Sequence, residues 1–185
     1  MPTAPIELRL LADHFQSIGI PCELELPPEG QDDGVSKLSL SLEQAFDGQD
    51  VDVTVLVMQS LEETDSEEDT PALSVLRLVA AMPYDWSSAS LPVMVGVLEI
   101  LNPLLPFGCF TLHPAEFGMT ISHTHAAGEG AFDTNPLVRI LDTWSFYFPI
   151  AARPLRQAAT GTMDVKEILE DFSLFMEEID REGAE

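Results

Sequence analysis

Apolar residues recur along this chain with two different periods, and the alternation between them sketches the elements. In residues 6–18, IELRLLADHFQSI, Leu8, Leu11, Phe15 and Ile18 return at helical spacing and predict an amphipathic helix. Gly19 and Pro21 end it. The period then drops to two. Residues 22–26, CELEL, predict a half-buried strand with Glu23 and Glu25 on its wet face. PPEGQDDG, residues 27–34, reads as a turn or loop. VSKLSLSL, residues 35–42, reads as a second strand. Leu38 and Leu40 are out of phase with Val35, and a bulge or an early strand start would explain that slip. After a turn over 43–50, VDVTVLVM predicts a third strand, with Val51, Val53, Val55 and Val57 on one face. Short strands joined by brief loops favour an antiparallel meander over a βαβ unit.

Residues 61–71, LEETDSEEDTP, carry almost no apolar mass and read as an exposed acidic loop, with an interdomain linker as the rival. LSVLRLVAAM, residues 73–82, fits a buried strand ending before Pro83, although a helix start is compatible with it. In residues 91–105, Ser90 or Ser88 is placed to cap a helix, and Pro92 sits in the tolerated first turn. There Val95, Leu98 and Leu101 or Asn102 mark the inward face, and Pro103 ends or kinks the helix. Residues 108–112 and 118–126 read as two strands joined by a turn at Pro114–Gly118. Asn135 and Pro136 can start a helix carrying Leu137, Ile140, Leu141 and Trp144, with Pro149 and Pro154 dividing its distal part. The last helix, residues 163–179, has a wide apolar stripe through Val165, Ile168, Leu169, Phe172, Phe175, Met176 and Ile179. The expected fold class is α+β, an antiparallel sheet packed against helices, formed as one acidic domain over residues 1–185.

Charge narrows the partner classes. The chain has 32 Asp or Glu against 8 Lys or Arg, a formal net charge of -24. Residues 1–70 hold 17 of these acids, residues 71–160 hold 6 and residues 161–185 hold 9, so the middle is the core-rich part. Such a balance argues against nucleic acid, whose binding is driven by basic charge, and against anionic membrane surfaces. The N-terminus does not read as a signal peptide, and no stretch reaches the length of a membrane span. A cytoplasmic protein is the expectation. Cys22 and Cys109 read as buried free thiols, since two cysteines in unrelated contexts make no disulfide framework.

One local pattern joins the middle pieces. Leu101-Asn102 is followed by Leu105-Pro106-Phe107-Gly108-Cys109-Phe110-Thr111-Leu112, a turn, and Gly118-Met119-Thr120-Ile121. It resembles the YbjN-like family, within the superfamily that includes type III secretion chaperone-like domains. The resemblance is strongest over residues 73–160. It implies a compact secretion chaperone-like domain that pairs or presents surfaces to polypeptides, and it carries no catalytic set onto these positions. Pro149, Pro154 and the acidic C-terminal helix depart from the family pattern.

Candidate chemistry is sparse. His123 and His125 lie two apart on a predicted strand, so both imidazoles face one way and can approach one metal ion, with Glu129 or His113 completing a site. The competing reading places them on the wet face of that strand. The acids of residues 62–69 lack EF-hand spacing and read as solvated. No glycine-rich phosphate loop, HExxH, CxxC or G-x-S-x-G elbow is present, so nothing marks an enzyme. Aromatics give a different lead. Residues 144–148 hold four, which cannot all face one side of a helix, so some belong to the core and others to a groove or contact. Phe107, Phe110, Trp144 and Tyr147 are the candidate interaction residues. The expected function is a noncatalytic protein-interaction or chaperone-like module for a basic or amphipathic polypeptide, with no cofactor. The alternative is a small metal-binding protein or enzyme using His123 and His125. The apolar stripe of the last helix can be covered within the chain or by a second copy in a homodimer.

Overall fold

The alternating segments pair into one open sheet. The computed structural model describes residues 5–27, 35–59, 74–127 and 132–182. Helix α1 (Ile6–Ser17) precedes strands β1 (Cys22–Glu25), β2 (Lys37–Phe46), β3 (Gln49–Gln59) and β4 (Ser74–Ala81). Helix α2 (Leu91–Leu101) and a short 3-10 turn lead to β5 (Cys109–His113) and β6 (Gly118–Ala127). Helices α3 (Asn135–Thr160) and α4 (Val165–Glu182) follow. The six strands run in the order β1-β2-β3-β4-β6-β5, every pairing antiparallel. This is an α+β fold; its first three strands form the expected meander, and β4 extends it on the far side of β3. The acidic segment 61–71 lies outside the described residues, as do residues 28–34 and Glu129.

Strand alternation sorts the two faces. Leu38, Leu40, Val51, Val53, Val55, Leu76, Leu78 and Ile121 are buried on one side. Helix α1 packs on β1, β2 and β3, and α3 packs on β2. Helices α2 and α4 pack on α3 and on each other, which makes a second helical layer. Between the layers, Trp144 and Phe148 stack at 5.8 Å, and Phe46 meets Phe148 edge-on at 6.0 Å. Ser74 donates to the carboxylate of Glu7, and both residues are fully buried. The turn between β2 and β3 is tied to α3: Arg156 donates to Asp47 at 2.7 Å, and Tyr84 donates to the same carboxylate at 2.9 Å.

Several sequence expectations are corrected. Val35 lies before β2 and is exposed, so the phase slip is not an early strand start; the β2–β3 irregularity falls between Leu42 and Phe46. Ile18 follows α1 and is 48% exposed, outside the buried stripe. In α2 the inward residues are Met94, Val97, Leu98 and Leu101, whereas Val95 points out. Ser90 precedes α2, but its hydroxyl serves the backbone of Ser87 and not the helix N-terminus. Cys109 is exposed and Cys22 half-buried, although both thiols are free as expected.

Pro149 and Pro154 do not divide α3, which runs unbroken over 26 residues. Each proline removes one backbone donor and costs about 3 kcal/mol in an isolated helix. Burial of Phe148, Ala151, Ala152, Leu155 and Ala158 around them outweighs that loss. Helix α4 starts with a reciprocal cap that sequence reading missed. Asp164 accepts from the Glu167 N–H, and Glu167 accepts from the Asp164 N–H, both at 2.9 Å. The apolar stripe of α4 is covered within the chain at Ile168 and Phe172, which are buried.

Candidate functional site

Two concavities gather the residues with chemical interest. The first is a cleft of about 640 Å³ between β6 and the start of α3. In register, His123 lies opposite Leu78 and His125 opposite Leu76, both core residues of β4. Opposite residues of an antiparallel pair share a face, so the two histidines point to the helix side of the sheet. The wet-face reading is thereby overturned. The core ends at this margin of the sheet, and both imidazoles are half-buried. Phe107 packs edge-on against His123 at 5.7 Å. From α3, Asn135 and Arg139 reach the same cleft.

The electrostatics of the cleft have identifiable causes. Burial, and secondarily the neighbouring His125, pushes the His123 imidazole below its ordinary value of 6.5. Asp133 accepts from both the N–H and the side-chain amide of Asn135, at 3.0 and 2.7 Å. Those two bonds, backbone first, hold its carboxyl below the usual range, helped by Arg139 and His14. A neutral His123 beside His125 can ligate a metal or accept a proton. No group of three or more His, Cys, Asp or Glu side chains able to hold a metal occurs among the described residues. His113 instead bonds Thr120 at 2.8 Å, across the β5–β6 pair and away from the other two.

The lowered His123 value has a sign for stability. The unfolded chain binds the His123 proton more readily than the folded one, so this contribution is complete above about pH 6.5 and is lost as pH falls toward the folded value. Denaturant midpoints of the wild type and His123→Gln should therefore converge on acidification through that window. A constant gap between them would contradict the assigned environment of His123.

The second concavity is an apolar groove of about 250 Å³ where α2, α3 and α4 meet. Its origin is local. Asn102 ends α2, and Pro103 cannot continue the helical hydrogen bonding, so the chain tightens into the 3-10 turn Asn102–Leu104. The Asn102 side chain turns to β5, accepting from Phe110 N at 2.7 Å and donating to Phe110 O at 3.1 Å. Leu104 and Leu105 thus become one wall, and Phe110, 3% exposed, becomes part of the floor. Helices α3 and α4 supply the other wall through Tyr147, Ile150, Phe172 and Met176. They form a hairpin about Gly161, whose φ of 65° closes α3. Arg153 clamps the hairpin with two bonds to Asp171 at 2.8 and 2.9 Å, and Gln157 adds a third at 2.8 Å. Leu104 and Phe146 stand at the rim, 51% and 63% exposed.

The four aromatic candidates therefore separate. Phe107 lines the histidine cleft, while Phe110 and Tyr147 line the groove. Trp144 is fully buried and donates its indole N–H to Phe107 O at 3.1 Å, so it holds the Phe107 segment in place from within the core. Within the aromatic run, Phe146 is the exposed member. Sequence reading did not assign Leu104, Ile150 or Met176 to a site. The available signal was helical spacing: Phe146 with Ile150, and Phe172 with Met176, recur at i, i+4.

No protein-family model matches the chain, and a comparison with curated proteins also finds no match. No helix among the described residues is long and apolar enough to cross a membrane.

Proposed function

We propose that this chain is a noncatalytic, chaperone-like module whose apolar groove receives a basic, amphipathic polypeptide segment. The observation that carries the reading is the groove itself, with Leu104 and Phe146 exposed on its rim. Its 250 Å³ lies below the roughly 300–1,000 Å³ usual for whole small ligands, so it suits a few apolar side chains presented by a helix or strand. The net charge of -24 selects the other half of the partner. Long-range attraction speeds the encounter with Lys- and Arg-rich segments and disfavours acidic ones, while apolar burial holds the complex. The sequence resemblance to the YbjN-like, secretion chaperone-like proteins supports the same class of activity.

Selection from a random peptide library tests this. Enriched peptides should combine two or more apolar residues with basic flanks. Phe146→Glu should weaken them at least tenfold, since losing one well-buried aromatic contact removes about 1.5–3 kcal/mol. Peptides that bind the variant as well as the wild type would reject the groove.

The second reading is a metal-binding or small enzymatic role through His123 and His125. It rests on their shared cleft, whose 640 Å³ falls within the small-ligand range. Stoichiometric metal in protein purified without a tag, lost when both histidines become alanine, would favour it over the groove.

A further inference from the structure

The sheet face turned away from the helices is divided by charge. In a chain with 32 acids, the positions of β4, β5 and β6 on that face carry no carboxylate. Arg77 is exposed at the centre of β4, flanked by Val75 and Val79, and makes no ion pair among the described residues. The opposite end of the same face is acidic, with Glu23 and Glu25 on β1 and Asp52 on β3. Register places one row straight across the sheet: Glu25 opposite Lys37, Lys37 opposite Leu56, and Leu56 opposite Arg77. Glu25 and Lys37 already pair at 3.1 Å.

That row is complementary to itself when reversed. A two-fold axis between two facing sheets, running along the line between β2 and β3, lays β1 of one copy over β4 of the other. Arg77 then meets Glu25, and Leu56 meets the aliphatic stem of Lys37, twice over, as a closed isologous contact requires. We propose that this chain forms a homodimer through the open sheet face, with Arg77 of each copy paired to Glu25 of the other.

Other occupants fit less well. A basic segment meets Arg77, and an acidic one meets the field of the whole chain and the carboxylates of β1. A second copy brings both signs together in the Glu25–Arg77 row, while Glu23 of each copy falls beside Val79 of the other. Strand β1 has four residues and so covers four residues of β4, while β2 covers about nine of β3; at about 4.8 Å spacing and about 3.3 Å rise per residue this gives a footprint of roughly 400 Å² per copy. Doubled, this is about 800 Å², below the lower bound of about 1,000 Å² for a stable specific interface, so the dimer is weak and transient. Repulsion between the remaining acids is limited at physiological ionic strength, where the screening length is about 8 Å.

Analytical ultracentrifugation of the full chain at physiological ionic strength tests this across protein concentration. The mass should rise from 20.3 kDa toward twice that value. Arg77→Glu should raise the dissociation constant at least tenfold, and combining it with Glu25→Arg should restore most of the lost affinity, which a merely structural role for Arg77 would not produce. Leu174→Glu, at an exposed position of α4, should leave the dimer unchanged. A 20.3 kDa species at every concentration would overturn the proposal. So would a dimer indifferent to Arg77→Glu, a double variant without recovery, or a dimer broken by Leu174→Glu.

Discussion

Replacing Gly108 by alanine is expected to destabilise the protein by about 2–5 kcal/mol, the larger of two effects centred on the segment before β5. Gly108 has φ +82°, which a residue with a Cβ adopts at a cost of about 1–2 kcal/mol. Space is the second obstacle. An added Cβ would lie 2.8 Å from the backbone oxygen of Ser122 and 3.3 Å from Trp144 Cζ2. Neither neighbour is a flexible tip. Ser122 belongs to β6, paired with both β4 and β5, and Trp144 is anchored in the core by its bond to Phe107 O. Forcing a methyl group into such packing adds about 1–3 kcal/mol. For a chain of this size the thermal midpoint should fall by roughly 5–15 °C. A thermal or denaturant midpoint within experimental error of the wild type would contradict the geometry of this turn.

Asn102→Ala is expected to cost about 2–4 kcal/mol. The Asn102 amide satisfies both backbone groups of Phe110 on the outer edge of β5, in the way a further strand would. Alanine leaves that donor and acceptor beside a side chain that is 3% exposed, and an unsatisfied buried group costs about 1–3 kcal/mol. The change also uncovers an unpaired strand edge, so the variant should aggregate more readily on partial unfolding. Asn102→Asp separates the two bonds. A carboxylate still accepts from Phe110 N but repels Phe110 O, and protonation returns a donor. Its deficit relative to the wild type should therefore narrow as pH falls through the carboxyl range. Chemical denaturation of the three proteins measures all of this, and an Asn102→Ala midpoint equal to wild type would show that the amide bridge contributes nothing.

These two residues also show what was legible in the sequence. The pattern from Leu101-Asn102 to Phe110 was recognisable as a unit, but its cause is three-dimensional. Asn102 meets Phe110 eight residues away, and Trp144 meets Phe107 across 37 residues. Alternation was read most reliably in β3, where Val51, Val53 and Val55 face a buried layer and Asp52 faces water. In α2, Leu98 and Leu101 face inward as expected and Val95 does not, because apolar residues surround the helix and Val95 and Val97 look alike in sequence. The histidines were placed on one face, and the strand's own alternation names that face: Met119 and Ile121, both buried, share the parity of His123 and His125, so the wet-face reading overlooked a local signal. Continuity of α3 through two prolines likewise comes from its packing, which local propensity does not contain. In the groove, Phe110 and Tyr147 were found as aromatics. Leu104 and Met176 were not, because their meeting depends on how α2 and the α3–α4 hairpin come together.

The central claim is that polypeptide binding occurs in the groove between the 3-10 turn and the α3–α4 hairpin. Methyl-labelled protein titrated with a library-selected basic amphipathic peptide, followed by nuclear magnetic resonance, tests it most directly. The account predicts saturable shifts at the methyl groups of Leu104, Leu105, Ile150 and Met176, which line the groove. Shifts concentrated instead at Val75 and Val79 on the open sheet face, or at Val138 and Ile140 in the histidine cleft, would contradict it, as would no saturable shift at all.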